Sequence, residues 1–122
     1  MTNEEQDIAI KDMQELAQSE LFDSYQDFAE TTAIYPEDQA LEYLALGLAS
    51  EAGEVAGKIK KLIRDGEADL EDIISEIGDV LWYCANLCSE LEVLMSDAAA
   101  LNIDKLTDRK VRGTLKGSGD KR

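Results

Sequence analysis

The chain has 122 residues, of which 44% are hydrophobic, with one proline, no histidine and a net charge of −15. This length predicts one domain, the lack of alternating β-branched runs predicts an all-α fold, and the absence of histidine argues against zinc and against Glu-x-x-His di-iron bundles. A body this acidic would repel a nucleic-acid polymer, which disfavours groove binding.

The N-terminal part of the chain is predicted to be an extension of the main domain. Residues 1–18 are polar and acidic, and they are interpreted either as a helix or as a partly disordered segment. Residues 19–122 are predicted to form the domain itself. Its first helix is expected from Ser19 to Thr32, and Tyr35-Pro36 follows the helix because a residue before proline disfavours the α conformation.

Two long helices and a shorter one are predicted to complete the domain. The long helices are expected at Gln39–Arg64 and Leu70–Glu92, with Gly66 as the stop signal between them. Because the connection is short, they are expected to fold back as an antiparallel hairpin. A last helix is expected to reach about Arg112 with Ser96 as its N-cap, and residues 113–122 form a basic, glycine-containing tail that reads as loop.

Each long helix carries two carboxylates spaced i,i+3, and the members are Glu51 with Glu54 and Glu76 with Asp79. Residues three apart lie on one face of a helix, so each pair points in one direction. Glu54 and Asp79 lie at nearly equal distances from the turn, about 14 to 15 Å at the rise of an α-helix. The two pairs are therefore expected to meet in the hairpin.

The surroundings of Glu51 favour a cation site over a solvated acidic face. Glu51 falls between Leu48 and Val55 on an apolar stripe, where an unpaired carboxylate is costly. Four crowded carboxylates raise one another's pKa unless cations neutralise them. Ligands that are all oxygen suit Mg²⁺, with Mn²⁺ as a substitute. The alternative is ordinary surface charge, since glutamate is common on exposed helices.

Positive charge is concentrated at the C-terminus. Residues 105–122 hold 7 basic and 2 acidic side chains, whereas residues 1–104 hold 5 basic and 25 acidic ones. This distribution is compatible with a small polyphosphate that is held by cations at one end and by a basic arm at the other. Two lysines, Lys58 and Lys61, extend the acidic side of the first long helix. Lys58 either pairs with Glu54 or neutralises a phosphate, and the sequence favours neither.

Other side chains are assigned by their position on the helices. Trp82 points away from the core stripe of its helix, and an exposed Trp implies a second covered surface, either a subunit interface or a wall for base stacking. Cys84 and Cys88 are expected to be small core hydrophobes.

The longest apolar stretch, Tyr43–Ala49, is too short to span a bilayer, and the acidic N-terminus is unlike a signal peptide. A cytoplasmic protein is therefore expected.

Five blocks of the sequence recur in the order found in one known family. They are Tyr25-x-x-x-Ala29-x-x-Thr32-Ala33-x-Tyr35-Pro36, Leu44 to Val55 with its Ser50-Glu51-Ala52-Gly53-Glu54 core, Lys60-Lys61-x-x-Arg64-Asp65-Gly66, Glu76 to Tyr83, and Arg109-Lys110-x-Arg112-Gly113 continuing to Gly117-Ser118-Gly119-Asp120. Together they resemble a MazG-like nucleoside triphosphate pyrophosphohydrolase of the all-α superfamily. The resemblance runs from about Leu21 to Arg122.

The resemblance implies a four-helix core that assembles into dimers or tetramers, and hydrolysis of (deoxy)nucleoside triphosphates to the monophosphate and pyrophosphate. It implies magnesium at the family's four acids, which fall on Glu51, Glu54, Glu76 and Asp79. Glu51 is also expected to orient or deprotonate the attacking water. Substrate contacts are expected from Lys58, Lys61, Tyr83, Arg109, Lys110 and Lys116.

The sequence leaves alternative functions open. The chain could be a non-catalytic helical oligomer with a vestigial ion site that acts as an interaction protein. A phosphoribosyl-ATP pyrophosphohydrolase shares the acids but is disfavoured by Trp82-Tyr83 and by the Gly-Ser-Gly tail. Three aromatics, Tyr25, Phe28 and Tyr35, are expected to pack in the core rather than line a base pocket. Base and sugar preference stay open, because they depend on a few pocket contacts.

Overall fold

The computed structural model describes residues 2–17 and 20–122, and of residues 12–17 the backbone only. These parts of the chain contain helices and turns but no strand, so the prediction of an all-α fold with an additional N-terminal helix is confirmed. The elements are α1 (Asn3–Ala17), α2 (Glu20–Thr31), a 3₁₀ turn (Glu37–Gln39), α3 (Ala40–Asp65), α4 (Leu70–Glu90) and α5 (Met95–Arg112).

The helix boundaries lie within two residues of the predicted ones wherever the structure describes them. The predicted start of the second helix at Ser19 and the predicted boundary between residues 18 and 19 fall outside the described residues. Two compact units are formed, one by Met1–Ser24 with Leu94–Arg122 and the other by Tyr25–Val93. No helix in the described part of the chain is long and apolar enough to cross a membrane.

The unit Tyr25–Val93 is organised by the hairpin of α3 and α4. Gly66 ends α3 in the left-handed conformation at φ 78°, and its N–H donates to the Leu62 carbonyl at 2.8 Å. Glycine adopts this conformation without steric cost. Asp69 then begins α4 as its N-cap, because its carboxylate accepts from the Glu71 N–H at 2.9 Å. These two signals make the turn short and the helices antiparallel.

Polar side chains fasten the C-terminal part of α2 to α4. The Gln26 side-chain amide donates to Ser89 Oγ at 3.1 Å and to the Val93 carbonyl at 2.9 Å. The Asn86 amide, which is fully buried, donates to the Ala29 carbonyl at 3.3 Å and to the Trp82 carbonyl at 3.1 Å. Buried amides are costly unless bonded, so these contacts fix how α2 lies on α4.

The buried core of this unit is small. Its fully buried apolar side chains are Ala29, Leu44 and Ala85. Leu44 on α3 is buried, whereas Ile59 on α3 and Ile77 on α4 are exposed. Large apolar side chains also remain on the outside of the hairpin, and they include Leu46, Ile63, Leu70 and Ile74.

In the other unit, α1 packs against α5. The predicted N-cap of α5, Ser96, is wrong: the cap is Leu94, whose N–H donates to the Asp97 carboxylate at 3.3 Å, while Ser96 is buried inside the first turn. The Asp97 carboxylate satisfies this N–H in place of a hydroxyl cap. Gly113, at φ 72°, ends the helix at the position that was predicted for its C-terminus.

The basic tail after α5 is a loop closed by Arg122. The Arg122 guanidinium donates to the carbonyls of Thr114, Leu115 and Gly119 at 3.2, 3.1 and 2.7 Å. Arg112 in turn donates to the Arg122 carbonyl at 2.9 Å. The expectation of loop conformation is thus met, and the loop has defined internal hydrogen bonds.

Candidate functional site

Three carboxylates meet across the hairpin of α3 and α4. One oxygen each from Glu51, Glu76 and Asp79 lies within 4.8 Å of the other two. Glu51 comes from α3, and the other two come from α4 at the i,i+3 spacing that places them on one face. The prediction that Glu54 lies level with Asp79 is wrong, because Glu51 is the residue of α3 that meets Asp79. Glu51 lies 14 residues from the end of α3 and Asp79 nine from the start of α4, so α3 extends farther toward the turn than α4 does.

Burial and the neighbouring acids act together on Glu51. The pKa of Glu51 is raised, first by burial, then by its hydrogen bond with Glu76 and by the negative charge of Asp79, Glu76 and Glu54. Desolvation and like charge both favour the protonated form of a carboxyl group. The three acids therefore form a site at which an added positive charge would be stabilising.

Glu54, the fourth predicted ligand, is exposed and does not belong to this group of three. It lies one turn along α3 from Glu51 and contributes to the rise in the pKa of Glu51, so it borders the cluster. A change of its side-chain rotamer would be needed for it to share a cation with the other three.

The donor set fits a hard divalent cation. All three groups offer carboxylate oxygens, and two of them, Glu51 and Glu76, are half-buried, where an uncompensated pair of charges is unfavourable. Mg²⁺ is held in proteins by one or more carboxylates together with water and substrate phosphates. Glu51, Glu76 and Asp79 would hold such an ion, with Glu54 at the margin.

An open pocket of about 310 Å³ adjoins the acids. Two of the acids, Glu51 and Asp79, line it together with Thr32, Trp82 and Tyr83. The lining of the pocket thus has an acidic part, Glu51 and Asp79, and an aromatic part, Trp82 and Tyr83. Such a division suits a molecule with a charged chain at one end and a flat apolar group at the other.

Trp82, for which a second covered surface was predicted, is partly covered by residues of its own chain. It is half-buried, and its indole N–H donates to Thr32 Oγ1 at 2.7 Å. Its ring meets Tyr35 and Tyr83 edge-on, with centroid distances of 6.4 and 5.0 Å. The segment that follows α2 therefore covers part of this side chain within the same chain.

Tyrosines continue this aromatic wall. Tyr35 stacks on Tyr43 with a centroid distance of 5.7 Å, and its hydroxyl donates to the Glu90 carboxylate at 2.8 Å. Burial and this hydrogen bond raise the pKa of Tyr35 to about 12. The pKa of Tyr83 is raised by burial first, then by Tyr43 and Glu51, which lie beside it. Both phenols are therefore neutral hydrogen-bonding groups at physiological pH.

The other two aromatics of the first motif block have different surroundings. Phe28 is 62% exposed, so the expectation of core packing is wrong for this residue. Tyr25 is half-buried, and its pKa is raised by burial and by the charge of Asp79. Tyr25 thus lies on the side of the hairpin that carries the acids.

The predicted lysine contacts on α3 lie beyond the acids, toward the turn. Lys58 lies 3.8 Å from the Asp72 carboxylate, an exposed and weak ion pair, so the predicted alternative of pairing with Glu54 is replaced by a contact across the hairpin. Lys61 is exposed near Asp65, whose pKa is lowered mainly by Arg64 and further by Lys61. The assignment of both lysines as contacts of a phosphate chain stays a prediction.

The predicted contacts from the tail belong to the other unit. Arg109 is buried, and its guanidinium donates to the backbone carbonyl of Asp120 and, at 3.2 Å, to its carboxylate. Lys110 and Lys116 are exposed. Arg109 would have to release Asp120 before it could bind a phosphate. The assignment of Arg109, Lys110 and Lys116 as substrate contacts stays a prediction.

One residue that lines the pocket, Thr32, and one that lies beside Tyr83, Tyr43, were not predicted from the sequence. Thr32 accepts the Trp82 indole N–H, and Tyr43 flanks Tyr83. Thr32 stands inside the first motif block, and Tyr43 precedes Glu51 by two helical turns, which puts it on the same face of α3. Helical spacing from Glu51 was therefore a usable signal for Tyr43.

Comparisons with known proteins identify the family of the chain. Residues 39–113 match the model of the MazG nucleotide pyrophosphohydrolase domain, which spans α3, α4 and α5. The Gene 37 protein of Mycobacterium phage L5 is 42% identical over 111 residues, covering 82% of this chain and 97% of that protein. No solved structure matches the chain. The matched region contains all four predicted acids and the aromatic pair at Trp82 and Tyr83, and the chain belongs to the MazG nucleotide pyrophosphohydrolase family.

Proposed function

We propose that the protein hydrolyses nucleoside triphosphates, in ribo or deoxy form, to the nucleoside monophosphate and pyrophosphate, with Mg²⁺ as cofactor and Mn²⁺ as a substitute, and so cleanses or adjusts a nucleotide pool. The observation that carries this proposal is the pocket whose acidic part is formed by Glu51 and Asp79 and whose aromatic part is formed by Trp82 and Tyr83. The family of the chain supports the same reaction class.

The proposed reaction is attack of water on the α-phosphorus. A bond forms between the water oxygen and this phosphorus, the bond to the bridging oxygen of the β-phosphate breaks, and pyrophosphate leaves. When bound, Mg²⁺ offsets negative charge on the phosphates and makes the attacking water more acidic. Glu51 orients this water and accepts its proton, and the raised pKa of Glu51 makes it a stronger base than an exposed glutamate.

The aromatic part of the pocket is proposed to hold the nucleoside. Bases and sugars present apolar faces, and a half-buried Trp or Tyr ring offers a matching surface. Trp82 is held in place by Thr32, so little side-chain entropy is lost when a base packs against it. Lys58 and Lys61 on α3 are proposed to neutralise the outer phosphates.

The test is a panel of common NTPs and dNTPs incubated with Mg²⁺ in ¹⁸O-labelled water, with products separated by chromatography and mass analysis. We expect pyrophosphate and monophosphate in equal amounts, with the label in the monophosphate. Label in pyrophosphate would mean attack at the β-phosphorus, and orthophosphate with a diphosphate would mean attack at the γ-phosphorus. Either result would contradict the mechanism.

A matched pair of variants distinguishes activity of this protein from activity of a contaminating enzyme. Glu51→Gln should abolish the activity, whereas Glu67→Gln, in the turn between α3 and α4, should retain it. If purified protein with either metal turns over no member of the panel, the alternative is favoured, namely a non-catalytic helical oligomer with a vestigial ion site.

Assembly of subunits is part of the proposal. Leu46 and Ile63 on α3 are 73% and 80% exposed, and Leu70 and Ile74 add to this apolar surface on α4. A chain of this length buries a limited fraction of its surface, and contact with further copies would cover such side chains. A homodimer or a homotetramer is therefore proposed, with these residues in the interface.

A further inference from the structure

Gly47 on α3 and Tyr83 on α4 face each other one helical turn beyond the acids. Gly47 precedes Glu51 by four residues, and Tyr83 follows Asp79 by four, so both pairs keep the same antiparallel register. Gly47 and Tyr83 each lie 18 residues from Asp65, just as Glu51 and Asp79 each lie 14 residues from it. The hairpin that assembles the acids therefore also brings Gly47 under Tyr83.

The Tyr83 ring occupies the space in which any other residue at position 47 would have its side chain. A Cβ atom added to Gly47 would overlap two carbons of this ring and lie 2.8 Å from a third, Cδ1. Such close approaches do not occur in proteins, so one group must move. The backbone of α3 is fixed by helical hydrogen bonds, and the ring turns about its side-chain torsions. The ring is therefore the group that would move.

The ring has contacts on its other sides as well. Trp82 meets it edge-on at a centroid distance of 5.0 Å, and Tyr43 lies close enough to its hydroxyl to add to the effect of burial in raising the pKa of Tyr83. Tyr83 also lines the pocket next to Glu51 and Asp79. The position of this ring thus sets the shape of the pocket where the acidic part passes into the aromatic part.

We propose that Gly47 is a positioning residue for nucleoside binding, because its missing side chain lets the Tyr83 ring lie against α3 and keeps the aromatic part of the pocket open. This proposal rests on the proposed function for its ligand. Gly47 touches no substrate itself. Its effect is exerted through Tyr83, so it should alter recognition of the nucleoside and leave the binding of a bare phosphate chain at the acids unchanged.

Thermal stability gives the first test, with Gly57→Ala as the matched control. Gly57 lies inside the same helix, and a Cβ atom there would meet nothing within 4 Å. Alanine is the better helix former, so Gly57→Ala should raise the melting temperature by about 2 to 8 °C. Gly47→Ala should fail to raise it or should lower it. An equal rise in both variants would overturn the proposal.

A double-mutant cycle isolates the contact with the ring. In a Tyr83→Ala background the obstacle is gone, and Gly47→Ala should then stabilise the protein as Gly57→Ala does. The single variant also has a direct readout, because Trp82 is the only tryptophan and lies beside Tyr83. The fluorescence emission of Trp82 should change in Gly47→Ala and stay as in the wild type in Gly57→Ala. Unchanged emission in Gly47→Ala would overturn the displacement of the ring.

Kinetics with Mg²⁺ test the link to the nucleoside. We expect KM for the best nucleoside triphosphate to rise about tenfold in Gly47→Ala, while the inhibition constant of inorganic tripolyphosphate stays within about twofold of the wild type. A displaced ring with unchanged KM would overturn the positioning role. The stability and fluorescence tests need no nucleotide, so they decide the contact even if the wild type proves inactive and the proposed function fails.

Discussion

Carboxylate oxygens of Glu51 on α3 and Glu76 on α4 lie within 4.8 Å of each other across the hairpin, although both are acidic groups. Such a pair is stable only when one member carries a proton or when a cation lies between them. Asp79 adds a third oxygen within 4.8 Å. This relationship makes the behaviour of Glu51 the most direct probe of the site.

Replacing Glu51 by Gln should lower kcat by at least about 100-fold, since both the water-orienting group and a metal ligand are lost. The helical fold should persist, because removal of one crowded charge relieves repulsion. Circular dichroism checks the fold, and steady-state kinetics check turnover. Glu67→Gln serves as the control. Activity of the Glu51 variant within about threefold of the wild type would exclude Glu51 from the site.

The raised pKa of Glu51 also predicts how stability depends on pH in metal-free protein. A carboxyl group with a raised folded-state pKa binds its proton more tightly when folded, so its stabilising contribution is full below the unfolded pKa and is lost as pH rises through the folded pKa. In Glu51→Gln the side chain at this position does not titrate, so the variant does not lose this contribution to stability as pH rises. The melting temperature of the variant, relative to the wild type, should therefore increase between about pH 4 and pH 8 in chelator.

Comparison with the variant removes the contributions of other acids, such as Asp108 and Asp120, whose lowered pKa values act in the opposite direction. Addition of Mg²⁺ at neutral pH should raise the melting temperature of the wild type more than that of Glu51→Gln. A difference in melting temperature between the wild type and Glu51→Gln that is constant over the whole pH range would contradict the raised pKa of Glu51.

The bond between Trp82 and Thr32 is predicted to support nucleoside binding. Thr32→Val removes the acceptor of the indole N–H while keeping the shape of the side chain, and KM for the nucleotide should rise with little change in kcat. Stability should fall by about 1 kcal/mol. Thr31→Val is the matched control, because it removes the neighbouring threonine hydroxyl, which donates to the Phe28 carbonyl at 2.6 Å. Equal effects of both variants would contradict a special role for Thr32.

Light scattering at micromolar concentration should show a dimer or a tetramer. Ile63→Lys, which places a charge on the exposed apolar surface of the hairpin, should shift the distribution toward smaller species. Glu67→Lys changes charge by more but lies in the turn, and it should leave the assembly unchanged. A monodisperse, fully active wild-type monomer would refute the prediction.

The basic tail is predicted to assist triphosphate binding. Lys110→Ala and Lys116→Ala are exposed single substitutions, and at least one should raise KM and weaken its dependence on salt. Melting temperature and Mg²⁺ dependence should stay near those of the wild type. Lys121→Ala, also exposed in the tail, is the control. If both test variants keep the wild-type KM at low ionic strength, triphosphate binding depends on the cation and on Lys58 and Lys61.

The sequence by itself determined the helices and the hairpin in which the acids of α3 and α4 meet. Gly66 and Asp69 are local signals, since left-handed backbone and N-cap bonding depend on a few neighbouring residues. Helical rise alone placed Glu54 level with Asp79, so it predicted that the acids of the two helices meet but not which residue of α3 lies opposite Asp79. Local geometry was sufficient for the hairpin, whereas the offset between α3 and α4 was not predicted.

Only the tertiary structure decided what surrounds each of these side chains. Rotation of α3 and α4 about their own axes, together with the docking of α2 through Gln26 and Asn86, determines that Trp82 is covered within the chain. The same packing leaves Glu54 outside the group of three acids and puts the Tyr83 ring on Gly47. These outcomes depend on contacts between residues far apart in sequence, and helical periodicity specifies a face of one helix but not the partner that it meets.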